Sequence, residues 1–150
     1  MNRREFSALL PMLLSVPALA PEAQAQTAAA PAHLEKLASG LYPPQPPTAA
    51  PTAPRISRHY LLGLLPDNIR LEAHETHLAP NAPPEPIGHH KHTEIWFMRE
   101  GEATLMTAGV TRILKPGDMG LCVAGDDHTI TNASKTEPAS YFVVTVGPPE

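Results

Sequence analysis

Residues 88–101 read GHHKHTEIWFMREG and form the most chemically distinctive stretch of the sequence. Three histidines, His89, His90 and His92, and the carboxylate Glu94 fall within six residues. Imidazole nitrogens and carboxylate oxygens are donors that divalent transition metals prefer. In an extended strand, side chains at positions i, i+2 and i+4 share one face. If the segment is extended, His90, His92 and Glu94 converge on one point, which predicts a metal site.

A second stretch, residues 117–132, reads GDMGLCVAGDDHTITN. It places His128 after the turn-forming residues Gly125, Asp126 and Asp127, at the start of a β-permissive run. A single histidine after a turn is typical of the protein surface. His128 becomes a candidate metal ligand because this stretch follows the first one. Asp126 and Asp127 are interpreted as turn residues without a catalytic role.

The region after Pro54 has the pattern of a series of short β-strands. The predicted strands, separated by turns every six to twelve residues, cover residues 56–65, 69–78, 94–99, 102–107, 110–114, 119–123, 128–133 and 140–146. Four prolines in residues 79–86 predict a loop that leads into the histidine cluster. No ten-residue window in this region has a clean helical period. The sequence therefore predicts an all-β sandwich or barrel over residues 55–150.

The two stretches together resemble the sequence motifs of the cupin superfamily. The matching residues are Glu94 and Gly101 in the first motif, and Gly117, Val123 (where the family has proline), Gly125, His128 and Asn132 in the second. The 15 residues between Gly101 and Gly117 fit the short spacing of small single-domain bacterial cupins. The resemblance implies a cupin jelly-roll barrel, a double-stranded β-helix. It also implies a divalent transition metal (Fe, Mn, Ni, Cu or Zn) bound by histidine and glutamate.

The first motif departs from the family pattern at one ligand position. Counting back from Glu94, the pattern places histidines at positions 90 and 88, but this chain has Gly88. Glycine offers no side-chain donor, so His92, which shares the strand parity of His90, is predicted to replace the missing ligand. The predicted metal ligands are His90, His92, Glu94 and His128. Two alternatives stay open: His89 ligates through a β-bulge, or three protein ligands leave more positions open.

The same strand parity predicts that Trp96 and Met98 point into the barrel with Glu94. A barrel interior of this kind suits a small, partly apolar substrate or ligand with one metal-binding oxygen group. Core packing is the simpler interpretation of Trp96. Glu72 and Glu75 are candidate general bases, but the sequence does not position either of them, so the catalytic residues stay unidentified.

Two of the four histidines that precede the cluster lie in one predicted strand. His74 and His77 fall on opposite faces of the strand predicted over residues 69–78, so at most one can face the interior. Both are interpreted as surface residues.

The cupin resemblance predicts a metal-dependent enzyme, with a dioxygenase-like oxidoreductase acting on a small organic molecule as the leading function. The fold also hosts isomerases, decarboxylases, lyases and non-catalytic binders. The alternative is therefore a periplasmic cupin that binds a metal or small ligand without turnover. A structural jelly roll with adventitious metal binding is a third and weaker interpretation.

The composition limits the classes of molecule that the protein is expected to bind. The formal net charge of −4 and the absence of a basic run argue against nucleic acid. The single cysteine, Cys122, excludes an intrachain disulfide and is interpreted as a buried small hydrophobe. Outward-facing Ile95 and Phe97 predict an apolar sheet face, which favours a homodimer.

The N-terminus has the pattern of an export signal. A basic start at Arg3 and Arg4 precedes an apolar run over residues 6–20 and small residues near Ala25, which predicts a signal peptide over residues 1–25. The first residues resemble a twin-arginine signal. Residues 26–54 are rich in proline and alanine and predict a spacer. The expected product is periplasmic or secreted, with no stable membrane anchor after cleavage.

Overall fold

The computed structural model describes residues 33–149, and the predicted signal peptide lies outside the described residues. The nine strands are β1 Arg55–Leu64, β2 Arg70–Leu78, β3 Gly88–His89, β4 Thr93–Glu100, β5 Ala103–Thr107, β6 Val110–Leu114, β7 Met119–Cys122, β8 Asp127–Asn132 and β9 Ala139–Gly147. A 3₁₀ turn at Pro66–Asn68 joins β1 to β2. Within residues 33–149, no helix has the length and apolar character that a bilayer span requires.

The strands form two antiparallel sheets. One has the order β1-β2-β9-β4-β7 and the other the order β3-β8-β5-β6. This is the two-sheet jelly roll that the sequence predicts, and the predicted all-β cupin fold is confirmed. All the predicted strands are present within one or two residues at their ends.

Strand β3 is absent from the predicted pattern, yet it connects the two chemically distinctive stretches. It has only two residues, and Gly88 pairs with His128 while His89 pairs with Asp127. The chain then bends at Lys91 and His92 before β4 begins. Residues 90–94 are therefore not one continuous strand, and the predicted strand parity does not extend from His90 to Glu94.

The core lies between the two sheets. Its buried side chains include Leu78, Trp96, Met98, Leu105, Leu114, Ile130, Tyr141 and Val143. Trp96 on β4 pairs with Gly120 on β7. A Cβ atom on Gly120 would lie 2.4 Å from Leu105 Cδ2, so the missing side chain lets the two sheets pack closely here. Cys122 is a buried free thiol, as predicted.

Residues 35–48 lie along the free edge of β1. Leu37 N donates to Leu64 O and Leu64 N to Glu35 O, both at 2.8 Å. Further along, Gln45 N donates to His59 O at 2.7 Å. This part of the predicted spacer satisfies backbone groups of an edge strand.

The outer face of β4 and β7 is apolar. Phe97 is 43% exposed, and Met119, its cross-strand partner, is also exposed. Leu121 extends the patch beside Ile95. The outward direction expected for Phe97 agrees with this geometry, and the homodimer stays a prediction.

Candidate metal centre

Three donor side chains meet inside the barrel. Glu94 lies on β4, His128 lies at the start of β8, and His90 follows β3. Glu94 Oε1 is 3.8 Å from His90 Nε2, and Glu94 Oε2 is 3.4 Å from His128 Nε2. All three ligand atoms lie within 4.8 Å of one another. Antiparallel pairing of β3 with β8 brings His90 close to His128, although the two residues are far apart in sequence.

This donor set fits one divalent ion. Metal bonds to imidazole nitrogen and carboxylate oxygen are about 2.0–2.2 Å long, so donors on one ion are about 3 Å apart when adjacent and about 4 Å when opposite. The observed separations of 3.4 and 3.8 Å fall in that interval. Two imidazoles and one carboxylate suit Fe, Mn, Ni, Cu and Zn alike.

His92 contacts the centre from the side of Glu94. Its Nε2 atom is 3.1 Å from Glu94 Oε1, and its ring stacks on His90 with centroids 4.6 Å apart. Among the described residues, the three-donor group contains His90, Glu94 and His128 without His92. In this geometry His92 orients the carboxylate, and direct ligation by His92 stays a prediction.

His89 lies outside the barrel. Its Nδ1 atom is 3.0 Å from Asp127 Oδ1, and two thirds of its side chain is exposed (66%). The register between β3 and β8 is regular, so no bulge turns His89 inward. The structure therefore does not bring this alternative ligand to the centre.

Gly88 faces the ligands. A Cβ atom at this position would lie 2.7 Å from His128 Nε2 and 3.1 Å from His90 Nε2. A side chain here would project into the space between the two imidazoles. Glycine stands where the cupin motif that this sequence resembles has a histidine, and the two rings lie against its backbone.

Gly88→Ala is expected to weaken metal binding about tenfold to a hundredfold, the range for changes that misorient ligands. The added methyl group would displace the rings of His128 and His90. A chelator-competition titration measures the change. Gly40→Ala is the matched control because nothing lies within 4 Å of its Cβ position. Equal affinity of the Gly88 variant and wild type would contradict the proposed position of the ion.

A cavity of about 350 Å³ opens beside the three donors. Its other lining residues are Ser57, His74, Thr76, Glu85, Pro86, Gly88, Trp96, Tyr141 and Val143. His74 is among them, so its interpretation as a surface residue is wrong. Strand β2 lies inside its sheet, between β1 and β9, and its even-numbered side chains face the barrel interior. His77, in contrast, is about half exposed.

Arg55 connects two residues that line the cavity, Tyr141 and Glu85. Its Nη1 atom donates to Tyr141 Oη at 2.7 Å and forms an ion pair with Glu85 Oε1 at 2.5 Å. Burial raises the pKa of Tyr141 above its ordinary value, although Arg55 opposes this, so Tyr141 stays a neutral phenol. Burial also raises the pKa of Glu85, again opposed by Arg55. These residues lie far apart in sequence, and no local motif marks them.

Cys122 lies behind His128. Its Sγ atom is 3.6 Å from His128 Nδ1. Burial raises the pKa of the thiol, and the negative charge of Asp126 adds to this effect. A thiol with a raised pKa is a poor nucleophile at neutral pH. Cys122 therefore packs against the ligand His128, in line with its predicted role as a buried small residue.

A second polar cluster lies on the inner face of β1 and β2. Glu72 Oε1 is 3.3 Å from His59 Nδ1 and 3.1 Å from His74 Nδ1, and Arg70 pairs with the other carboxylate oxygen. Burial would raise the pKa of Glu72, but the hydrogen bond with His74 and the charge of Arg70 outweigh burial and hold it at about 2. Of the two candidate bases, Glu75 points to the outer face, where it pairs with Arg99.

The fold and part of the sequence match known proteins. Residues 74–145 match the family model described as Cupin domain. An RmlC-like cupin from Shewanella frigidimarina is similar, with 16% identity, a TM-score of 0.55 and coverage of 73% of this chain and 85% of that chain. KdgF from Halomonas sp. shares 16% identity and has a TM-score of 0.53, covering 68% and 86%. At these identities the likeness shows the fold alone. No curated protein matches the chain.

Proposed function

Since residues 74–145 match the Cupin domain model, we propose that the protein is a metal-dependent, dioxygenase-like oxidoreductase acting on a small organic molecule. The observation that carries the proposal is the donor set itself. His90, Glu94 and His128 are two imidazoles and one carboxylate, and Gly88 stands in place of a further ligand. A two-histidine, one-carboxylate set with open positions is the pattern of non-haem Fe(II) oxygenases.

The three ligands leave room for a substrate next to the ion. Fe(II) held by these residues would supply oxygen activation beside an organic substrate. Gly88 lines the cavity beside the ligands and adds no side-chain donor to them. His92 holds the orientation of Glu94 through the 3.1 Å contact, and Cys122 supports the back of His128. These contacts fix the donor geometry before any ion or substrate enters.

The cavity walls limit the substrate by size and polarity. A volume of about 350 Å³ is near the lower end of small-molecule pockets, about 300–1,000 Å³. Trp96 and Val143, both buried, form an apolar part of the cavity wall. Tyr141, a neutral phenol, and the Ser57–Thr76 hydroxyl pair, 2.8 Å apart, offer hydrogen bonds. A small, partly apolar compound with one metal-binding oxygen group suits these walls.

Oxygen uptake by the Fe(II)-loaded protein tests the proposal. The full chain is purified without a histidine tag, loaded anaerobically, and mixed with catechols, diketones and flavonols. We expect oxygen uptake that matches substrate loss for at least one class. His128→Ala, which removes one ligand, should give no uptake, whereas His77→Ala, on the exposed face of β2, should retain it.

Two results would contradict the proposal. Failure of the wild-type chain to bind any divalent metal would remove its basis. Tight binding of both metal and a test compound without oxygen uptake would instead support the alternative, a non-catalytic periplasmic cupin that binds a metal or small ligand.

A further inference from the structure

The structure also carries a second cluster of metal-binding side chains, and this inference does not depend on the proposed reaction. We propose that His59, Glu72 and His74 bind a second divalent cation such as Zn(II), Ni(II) or Cu(II). Glu72 and His74 share the inner face of β2, and His59 is the direct cross-strand partner of His74 on β1. A β-bulge follows immediately, between His59 and Leu61. Bulges often occur where side chains are redirected at functional sites.

The donor atoms have the separations that one ion requires. His59 Nδ1 and His74 Nδ1 are 3.3 and 3.1 Å from the same oxygen, Glu72 Oε1. The three donor atoms lie within 4.8 Å of one another, and the rings are 5.2 Å apart. Ligands bound at about 2.0–2.2 Å in a tetrahedral arrangement lie about 3.3–3.5 Å apart. Two histidines and one glutamate then leave a fourth position for water.

The three side chains can bind the ion without gaining or losing a proton. Without an ion, both imidazoles can donate Nδ1–H to Glu72 Oε1. With an ion, each ring keeps one proton by carrying it on Nε2, and Nδ1 becomes a metal donor. The carboxylate stays ionised in both states. The ion therefore replaces two hydrogen bonds with three coordination bonds.

Groups around the carboxylate support its orientation. Arg70 pairs with Glu72 Oε2, and its Nη1 atom donates to Thr145 Oγ1 at 2.7 Å. These contacts leave Oε1 directed toward His59 and His74, as outer hydrogen bonds do at metal sites. The guanidinium charge also repels a cation. We therefore expect this second site to bind metal more weakly than the first centre.

The two sites hold separate ions. Thr145 is the cross-strand partner of both Glu72 and Glu94, so the two carboxylates lie in one row, two strands apart. Neighbouring strands are about 4.8 Å apart, which separates the carboxylate-bearing backbones by about 10 Å. Bridged metal pairs are only about 3.5–4 Å apart. Each site is thus expected to fill independently.

Metal stoichiometry tests the proposal. The metal-free full chain is titrated with Zn(II) and, for its visible spectrum, with Co(II). We expect two ions per chain, of which the weaker is lost in His59→Ala and in the more conservative His59→Gln. The tighter ion should stay in both variants. Glu94→Gln should show the reverse, keeping only the weaker ion.

His77→Ala is the matched control, because it lies on β2 with His74 but points outward and contacts Glu75. This variant should still bind two ions. A single ion per wild-type chain that is retained in His59→Gln would overturn the proposal and leave Glu72 as a residue that only orients His74 by a hydrogen bond. Two ions retained in a folded His59→Gln variant, checked by circular dichroism, would overturn it as well. If only the first centre fails to bind, the tighter binding step is missing from the titration and the weaker one remains. Failure of the proposed function can therefore be told apart from failure of this inference.

Discussion

Glu94→Gln is expected to abolish tight metal binding at the candidate centre. Glu94 contacts all three neighbouring imidazoles, at 3.1 Å from His92, 3.4 Å from His128 and 3.8 Å from His90. It supplies the carboxylate charge that makes this donor set attractive to a cation. Glutamine has nearly the same shape but carries no charge, so packing is retained while the ligand is lost.

The expected loss of affinity exceeds about a hundredfold. Changing a residue that only orients a ligand costs about tenfold to a hundredfold, and removal of the ligand itself should cost more. A chelator-competition titration of the tighter ion measures this loss. Glu75→Gln is the matched control, because the Glu75 side chain is 10% exposed against 14% for Glu94 but pairs with Arg99 on the outer face of β2. Its metal affinity should equal that of wild type.

Comparing the metal affinities of His92→Ala and His128→Ala separates the two interpretations of His92. If His92 is a fourth ligand, His92→Ala should weaken tight binding nearly as much as His128→Ala. If it only orients Glu94, the loss should stay within the tenfold to hundredfold range. Retention of wild-type affinity in Glu94→Gln would contradict a centre formed around this carboxylate.

The sequence predicts every described strand except β3, because each of the others has a local signal. Alternating apolar residues mark β4, and the prediction that Trp96 and Met98 point inward agrees with their burial. Strand β3 carries no such signal, because Gly88 and His89 are too few to show a period and neither is apolar. Its pairing with β8 depends on the tertiary fold, which a local pattern does not contain.

His90 and Glu94 are expected to meet for a geometric reason that the structure does not bear out. Shared strand parity requires one continuous strand from His90 to Glu94, whereas the chain bends at Lys91 and His92. His90 and Glu94 still meet, because the bend brings the end of β3 back toward β4. His128 was identified only because a family resemblance linked two distant stretches. The sequence alone therefore identified candidate ligands more securely than their positions.

The second cluster could not be found from local spacing. His59 and His74 are separated by a 3₁₀ turn and a bulged hairpin, and only the actual register places them opposite each other. An error of one residue in that register would turn His59 to the other face. The bulge between His59 and Leu61 makes such an error easy, because its extra residue has no sequence marker.

Trp96→Ala is expected to destabilise the domain by about 3–5 kcal/mol, the usual cost of truncating a buried large aromatic residue to alanine. Trp96 is only 2% exposed, and its ring packs between the sheets above Gly120 and 5.5 Å from the His128 ring. Alanine leaves a cavity that the paired β4 and β7 backbones cannot close. Because small domains are stable by only about 5–15 kcal/mol, this is a large fraction of the total.

Urea unfolding of the metal-free protein measures this change without a contribution from bound metal. The midpoint should fall while the dependence on urea concentration stays the same, because a similar surface is exposed on unfolding. Phe97→Ala is the matched control, since this neighbouring aromatic residue is 43% exposed on the outer face of the same strand. Its cost should stay below about 1 kcal/mol. Equal midpoints for the two variants would contradict the assignment of Trp96 to the core, because only an inward-facing residue can leave a cavity between the sheets.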